Sequence, residues 1–234
     1  MSTPAGKPCQ PLGSIAPGAV PPPRRPALAW ADALVRDHAL LRIGWRNWGV
    51  VEAGRLYRSN HPLPWQLRAA ARRFGLRTVI NLRGWRPDCG ADALSRREAA
   101  RLGLVHVDAP LESRGAPHRD RLLRLIDIFA RMEEPALLHC KSGADRTGLA
   151  AGVWLLWQGR SVAEAAAQLS WRFGHVKAAK TGILDAFFAE YAAAGDVPFV
   201  DWLRYGYDEA ALRARFRSAG GAAEWLGVKV LRRE

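Results

Sequence analysis

One short stretch holds residue types that can do chemistry together. It reads Leu137-Leu138-His139-Cys140-Lys141-Ser142-Gly143-Ala144-Asp145-Arg146-Thr147-Gly148. An apolar, strand-like run ends in a cysteine. A loop of small and polar residues follows, and Arg146 opens the next helical run. Such a loop can turn successive backbone N–H groups toward one centre. The helix N-terminus behind it adds partial positive charge. Arg146 can offer two parallel donors to two oxygens of one tetrahedral anion. The candidate phosphate-binding residues are therefore Lys141, Ser142, Gly143, Ala144, Asp145, Arg146 and Thr147. Cysteines in such fields titrate at about 3.5–7.5, against about 8.5 for a free thiol, so the loop is expected to hold Cys140 as a thiolate. A thiolate beneath a bound phosphate is a nucleophile aimed at phosphorus. Ser142 or Thr147 can support the sulfur as a leaving group, and the His139 ring can fix the loop by hydrogen bonding. Gly143 and Gly148 permit tight turning and close helix packing. The competing reading makes Cys140 a small buried hydrophobe at a strand end. The joint placement of Gly143, Arg146 and Thr147 after it, between a strand and a helix, argues against that.

The flanking sequence supplies the elements that must hold this loop. Asn47 to Arg58 reads as a hairpin. Pro64 can open a helix that runs to Phe74 and ends at Gly75. Arg77 to Leu82 is a short β-branched run that reads as a buried strand. Asp92 to Leu102 is a helix, Leu104 to Val107 a strand, Arg119 to Met132 a strongly amphipathic helix stopped by Pro135, and Ala136 to His139 a third strand. Strand–helix alternation at this spacing predicts an α/β fold with a parallel sheet. Beyond Arg146 the chain reads as mostly helical to about Arg217, including a short amphipathic helix over Asp208 to Phe216. Ala27 to Leu41 shows helical spacing.

Composition narrows the class. The 234 residues carry a net charge of +13 and are 49% hydrophobic, enough for a sizeable core and too apolar for a wholly disordered chain. No uncharged apolar run reaches the roughly 18 residues that a spanning helix needs. Residues 1–26 hold eight of the fifteen prolines and no apolar signal core, so they read as a flexible Pro-rich tail. Residues 27–195 read as the catalytic domain, and 196–234 as a helical extension packed on it. Cys9, Cys89 and Cys140 are too few and too scattered for a disulfide framework or a metal site. With no signal, a cytoplasmic location is expected. Thirty arginines against five lysines make the positive charge, yet no nucleic-acid-binding motif accompanies them. The basic positions of the C-terminal helix do not line one long face, which argues against a membrane surface.

The Cys140 segment resembles the signature loop of the cysteine-dependent protein tyrosine and dual-specificity phosphatases, His-Cys-x5-Arg-Ser/Thr. His139, Cys140, Arg146 and Thr147 fill its fixed positions. Arg55-Leu56-Tyr57-Arg58-Ser59 is similar to the opening hairpin of small bacterial and plant atypical members. Leu76 to Arg83, Pro110 to Pro117 and Gly174 to Phe188 also resemble family segments, so that residues 44–195 are covered. The resemblance implies a central, mostly parallel sheet flanked by helices. It implies a phosphocysteine intermediate hydrolysed by water, with no metal and no cofactor. It implies as substrate a phosphorylated protein or a small phosphorylated metabolite such as an inositol phosphate. Lys141 stands where relatives acting on inositol phospholipids have one of two lysines, but Asp145 occupies the second position. Cys89 is a candidate for a protective disulfide with Cys140.

The general acid departs from the family pattern. The family takes an aspartate from the loop that here reads Asp108-Ala109-Pro110-Leu111-Glu112-Ser113-Arg114-Gly115-Ala116-Pro117, and Ser113 falls where close relatives place it. Asp108 at the strand end, Glu112 in the loop and Asp145 in the signature loop are the candidates, beside a site with no dedicated acid. Arg83, Arg114 and the basic stretch Gly174 to Thr181 are candidates for further substrate contact, with solvated surface as the alternative. A phosphatase is the leading reading. A phosphate-binding module without turnover is the second, and a sulfur-transfer or arsenate-reducing thiol enzyme the third.

Overall fold

Alternation along three buried strands sorts the helices into two layers. The computed structural model describes Ala29, Trp30, Asp32, Ala33 and residues 46–178 and 180–218. The strands are β1 (Gly49–Glu52), β2 (Leu56–Ser59), β3 (Thr78–Asn81), β4 (Val105–Asp108) and β5 (Ala136–His139). They form one sheet in the order β1-β2-β5-β3-β4. β1 pairs antiparallel with β2, and every other pair is parallel. In β5, Leu137 faces one layer while Ala136 and Leu138 face the other. The same switch separates Tyr57 from Leu56 and Val79 from Ile80. Strands covered on both faces read as continuous apolar runs rather than alternating ones, which is why Ala136 to His139 is legible as a buried strand.

Parallel neighbours need crossovers, and helices supply them. α1 (Pro64–Phe74) links β2 to β3, α2 (Gly90–Arg101) links β3 to β4, and α3 (Arg119–Arg131) links β4 to β5. Gly75 ends α1 in the left-handed conformation, at φ 64°. Beyond β5 come α4 (Asp145–Trp157), α5 (Val162–Ala166), α6 (Ile183–Ala193) and α7 (Glu209–Ser218). Leu67 and Ala70 of α1 and Ala99 of α2 cover one face with Leu137; α3, α4 and α6 cover the other through Leu122, Leu125, Trp154, Phe187 and Phe188. Fully burying an aliphatic or aromatic side chain of this kind is worth about 1.5–3 kcal/mol. The expected α/β architecture, with a mostly parallel sheet flanked by helices, is the one observed.

Two extensions are anchored on this frame. Ala29 and Ala33 pack with Leu63, Ala91 and Leu94, the Trp30 ring stacks on Trp65 at 5.6 Å, and Asp32 Oδ2 accepts the Gly90 N–H at 2.7 Å. Beyond α6, the segment from Phe199 to Tyr207 buries Phe199, Trp202, Leu203 and Tyr207 in the core. The Tyr207 hydroxyl donates to the Pro117 carbonyl at 2.7 Å, and Glu209 accepts from the Arg119 N–H at 2.6 Å. The C-terminal extension thereby pins the end of the loop between β4 and α3. Asp208 caps α7 by accepting from the amides of Ala210 and Ala211. The Pro-rich tail over residues 1–26, Cys9 and most of the helix expected over Ala27 to Leu41 lie outside the described residues. Among the described residues no helix is long and apolar enough to cross a membrane.

Candidate active site

β2, β3, β4 and β5 end side by side at Ser59, Asn81, Asp108 and His139. Sites in open parallel sheets gather beyond these carboxyl ends. β5 lies between β2 and β3, so the chain that leaves it emerges at the centre of the edge. Leu137 and Leu138 hold β5 in place, and Gly143 then turns the loop at φ 78°. A Cβ on Gly143 would lie 2.7 Å from the Asn60 nitrogen and 2.9 Å from the Ser59 carbonyl oxygen, so only glycine lets the loop lie against the end of β2. Gly148, in the first turns of α4, similarly meets the Gln168 carbonyl at 2.7 Å.

Cys140 is 2% exposed and borders the apolar core. Burial alone would fit a small hydrophobe. The Gly143 N–H, however, donates to Cys140 Sγ at 3.2 Å, so a backbone dipole of the loop is aimed at the sulfur. Ser142 Oγ accepts from the Ala144 amide at 3.3 Å and braces the loop. Thr147 is fully buried, and its Oγ1 has no hydrogen-bond partner among the described residues. Arg146 places a buried Nε without a partner among the described residues. With Lys141, Arg83, Arg86, Cys89, Asp32 and Asp88, Arg146 lines an open cleft of about 310 Å³.

Two side chains absent from the sequence-based candidate set hold the loop from behind. Arg58 is wholly buried on β2. It donates to the carbonyls of Gly143 at 2.8 Å and Gln168 at 2.7 Å and lies 3.7 Å from the centre of the Phe173 ring. Burial lowers its pKa to about 10, so it stays charged at neutral pH and orients the loop carbonyls away from the cleft. Asn47, at φ 47°, donates from Nδ2 to the carbonyls of Ser142 at 2.7 Å and Phe173 at 2.8 Å. A charged residue inside a short strand is the one sequence signal that pointed to Arg58. His139 is packed rather than exposed, with its ring 4.6 Å from His61 and 6.5 Å from His106. Burial, reinforced by His106, holds its pKa well below 6.5, so the ring is neutral.

The three sequence-based acid candidates are each engaged elsewhere. Asp108 Oδ1 accepts from Arg96 at 2.6 Å and from Asn81 Nδ2 at 3.0 Å. It ends β4, two strand spacings from β5, or about 10 Å. Glu112 pairs with Arg121 and lies 3.6 Å from His118 Nε2. Asp145, read from sequence as part of the anion site, turns its carboxylate to His175 Nδ1 at 2.8 Å. The described carboxylates that line the cleft are Asp32 and Asp88. Arg83 reaches the cleft and Arg114 is exposed outside it. The basic stretch from Gly174 does not form a rim of free cations: His175 is buried and Lys177 pairs with Asp185 at 3.5 Å. Among the described residues no cluster of His, Cys, Asp or Glu has the makings of a metal site.

Residues 68–183 match the family described as DSP-PTPase phosphatase fused to NAD+ kinase. Over this segment the chain is similar to the atypical dual-specificity phosphatase-like family. The match runs from within α1 through the Cys140 loop to the start of α6. Solved structures share the fold. TpbA from P. aeruginosa in complex with pTyr aligns at a TM-score of 0.51 and 21% identity, over 68% of this chain and 89% of that one. TpbA in a further structure aligns at 0.50 and 20%, over 74% and 91%. The Siw14 catalytic core, from S. cerevisiae, aligns at 0.50 and 16%, over 75% and 93%. No curated protein matches the sequence.

Proposed function

We propose that this phosphatase-like chain hydrolyses phosphomonoesters through a phosphocysteine. The observation that carries the reading is the Gly143 amide aimed at Cys140 Sγ, with the Nε of Arg146, unpartnered among the described residues, in the same loop. The Cys140 thiolate attacks phosphorus, an S–P bond forms and the ester P–O bond breaks. Arg146 and the loop amides hold the equatorial oxygens, whose charge grows in the transition state. The leaving oxygen takes a proton from a carboxylic acid, which becomes a carboxylate; Asp88 and Asp32 line the cleft, whereas Asp108 and Glu112 are bound by arginines. Water then attacks phosphorus, sulfur leaves as thiolate, and inorganic phosphate is released. Thr147, with its hydroxyl uncommitted among the described residues, supports the sulfur in that step.

The cations Arg83, Arg86, Lys141 and Arg146 outnumber the two carboxylates around the cleft, which suits a phosphotyrosyl peptide or a small phosphorylated metabolite such as an inositol phosphate. The complex of TpbA with pTyr supports the first class. The engagement of Asp108, Glu112 and Asp145 elsewhere favours the second reading, a module that binds phosphate without turnover. One experiment separates them: hydrolysis of p-nitrophenyl phosphate by wild type and Cys140→Ser. The phosphatase reading expects a loss of at least about 10³-fold. Equal turnover by the variant removes the mechanism, and a wild type that binds vanadate but hydrolyses nothing establishes the binding module.

A further inference from the structure

A buried charge cluster lies directly behind the signature loop. The His175 side chain is inaccessible to solvent. Its Nδ1 is 2.8 Å from Asp145 Oδ1, and its Nε2 is 2.6 Å from Asp185 Oδ2. Carboxylate oxygens only accept, while a neutral imidazole has one donor and one acceptor. A neutral ring would leave one of these contacts as lone pair against lone pair. Both nitrogens therefore donate, and the ring is a cation.

We propose that the His175 imidazolium is the positioning residue that fixes Asp145, and with it Arg146, for oxyanion binding. The assignment rests on the phosphate-site reading above. Asp145 is the first residue of α4 and the neighbour of Arg146. Asp185 lies on α6, which Phe187 and Phe188 fix in the core. His175 thus ties the first residue of α4 to α6. It also neutralises Asp145. Without that partner a bare carboxylate would sit beside Arg146, cancel part of its charge and repel an incoming dianion.

The charged groups that face the cluster are few. Asp145 approaches from the loop, Asp185 from α6, and Lys177 from the same turn as His175, 3.5 Å from Asp185. Arg58 and Arg172 lie beyond, at the Phe173 ring. Burial pulls the His175 pKa down, but its bonds to Asp145 and Asp185 outweigh that and lift it from 6.5 to about 9. Oxyanion affinity should then fall as pH rises toward 9.5, where Arg58, at about 10, also begins to titrate and does so in wild type and variant alike.

The test uses tungstate, a dianion throughout this range, titrated into the full chain by calorimetry between pH 7.5 and 9.5. Wild-type affinity is expected to drop about fourfold, following the loss of the imidazolium. His175→Gln should bind at least about tenfold more weakly at pH 7.5, with a decline toward pH 9.5 clearly shallower than that of wild type. Adding Asp145→Asn should recover most of that loss, because the stray charge goes with it. Asp185→Asn should move the wild-type decline to lower pH. A residue that only filled space would change neither the pH profile nor respond to Asp145→Asn. A flat wild-type profile, or a double variant no better than His175→Gln, overturns the proposal, and the wild-type and Asp185→Asn curves decide even if His175→Gln fails to fold. Tungstate binding needs no turnover: the expected pattern without hydrolysis of any ester would strike the phosphatase reading and leave this one standing.

Discussion

Replacing Gly143 by alanine tests whether the loop works through a backbone position that no side chain can share. The added Cβ would lie 2.7 Å from the Asn60 nitrogen and 2.8 Å from the Ser59 carbonyl carbon. Neither neighbour yields easily. Ser59 is paired in register with His139 of β5, and the Asn60 amide is bonded to Arg46. Restoring ordinary contact at 3.4 Å therefore moves the loop by about 0.7 Å. The Gly143 N–H sits 3.2 Å from Cys140 Sγ, so a shift of that size stretches the bond to about 3.9 Å, where little of it survives. Misplacing a reacting group by about 1 Å, or removing one preorganised donor, costs about 10²-fold or more in rate. That corresponds to about 3 kcal/mol of transition-state stabilisation. The left-handed φ of 78° adds a folding cost of about 1–2 kcal/mol for any residue with a Cβ, which lowers the melting temperature by about 2–8 °C in a chain of this size. Steady-state hydrolysis of p-nitrophenyl phosphate and a thermal melt read both effects. A folded Gly143→Ala protein whose kcat lies within about threefold of wild type would refute the argument that the Gly143 amide is part of the machinery.

Proton donation divides the acidic residues. Asp88→Asn is expected to slow hydrolysis of an alkyl phosphate by about 10²-fold and that of p-nitrophenyl phosphate far less, since nitrophenolate leaves without help; Asp108→Asn should leave this leaving-group dependence unchanged, and the opposite pattern returns the role to Asp108. Stability should fall on the alkaline side through His175. Its folded pKa is raised from 6.5 to about 9, so its contribution is complete below about pH 6.5 and is lost as pH rises through 9, amounting to about 3 kcal/mol at most. Urea unfolding of wild type and His175→Gln at pH 6 and pH 9.5 checks it: the gap between the two proteins should shrink at the higher pH, and a constant gap contradicts the linkage.

Local pattern was enough for the frame. β5 is buried on both faces, so its run of apolar residues announces a strand without any knowledge of neighbours. Pro64 and Gly75 bracket α1 because fixed φ and left-handed φ are properties of those residues themselves. The spacing of Cys140, Gly143, Arg146 and Thr147 likewise points to an oxyanion loop, because a tight turn into a helix is made by contiguous residues and its chemistry is written in one stretch.

What surrounds that loop is another matter. Arg58, Asn47 and His175 brace it from three separated segments, and the sheet order β1-β2-β5 is what brings the first two to its back. Gly174 to Thr181 reads as basic surface in sequence, yet a buried contact with Asp145 and Asp185 turns its histidine into part of the support. The carboxylates were equally ambiguous. Asp108, Glu112, Asp88 and Asp32 are chemically alike, and only their surroundings distinguish them: Arg96 and Asn81 for Asp108, Arg121 for Glu112, the Gly90 amide and the cleft for Asp32, the cleft for Asp88. A sequence states which groups exist and which local turns they can make. Which of them meet across the sheet edge, and hence which remain available for a substrate, is decided by long-range packing that no local pattern encodes.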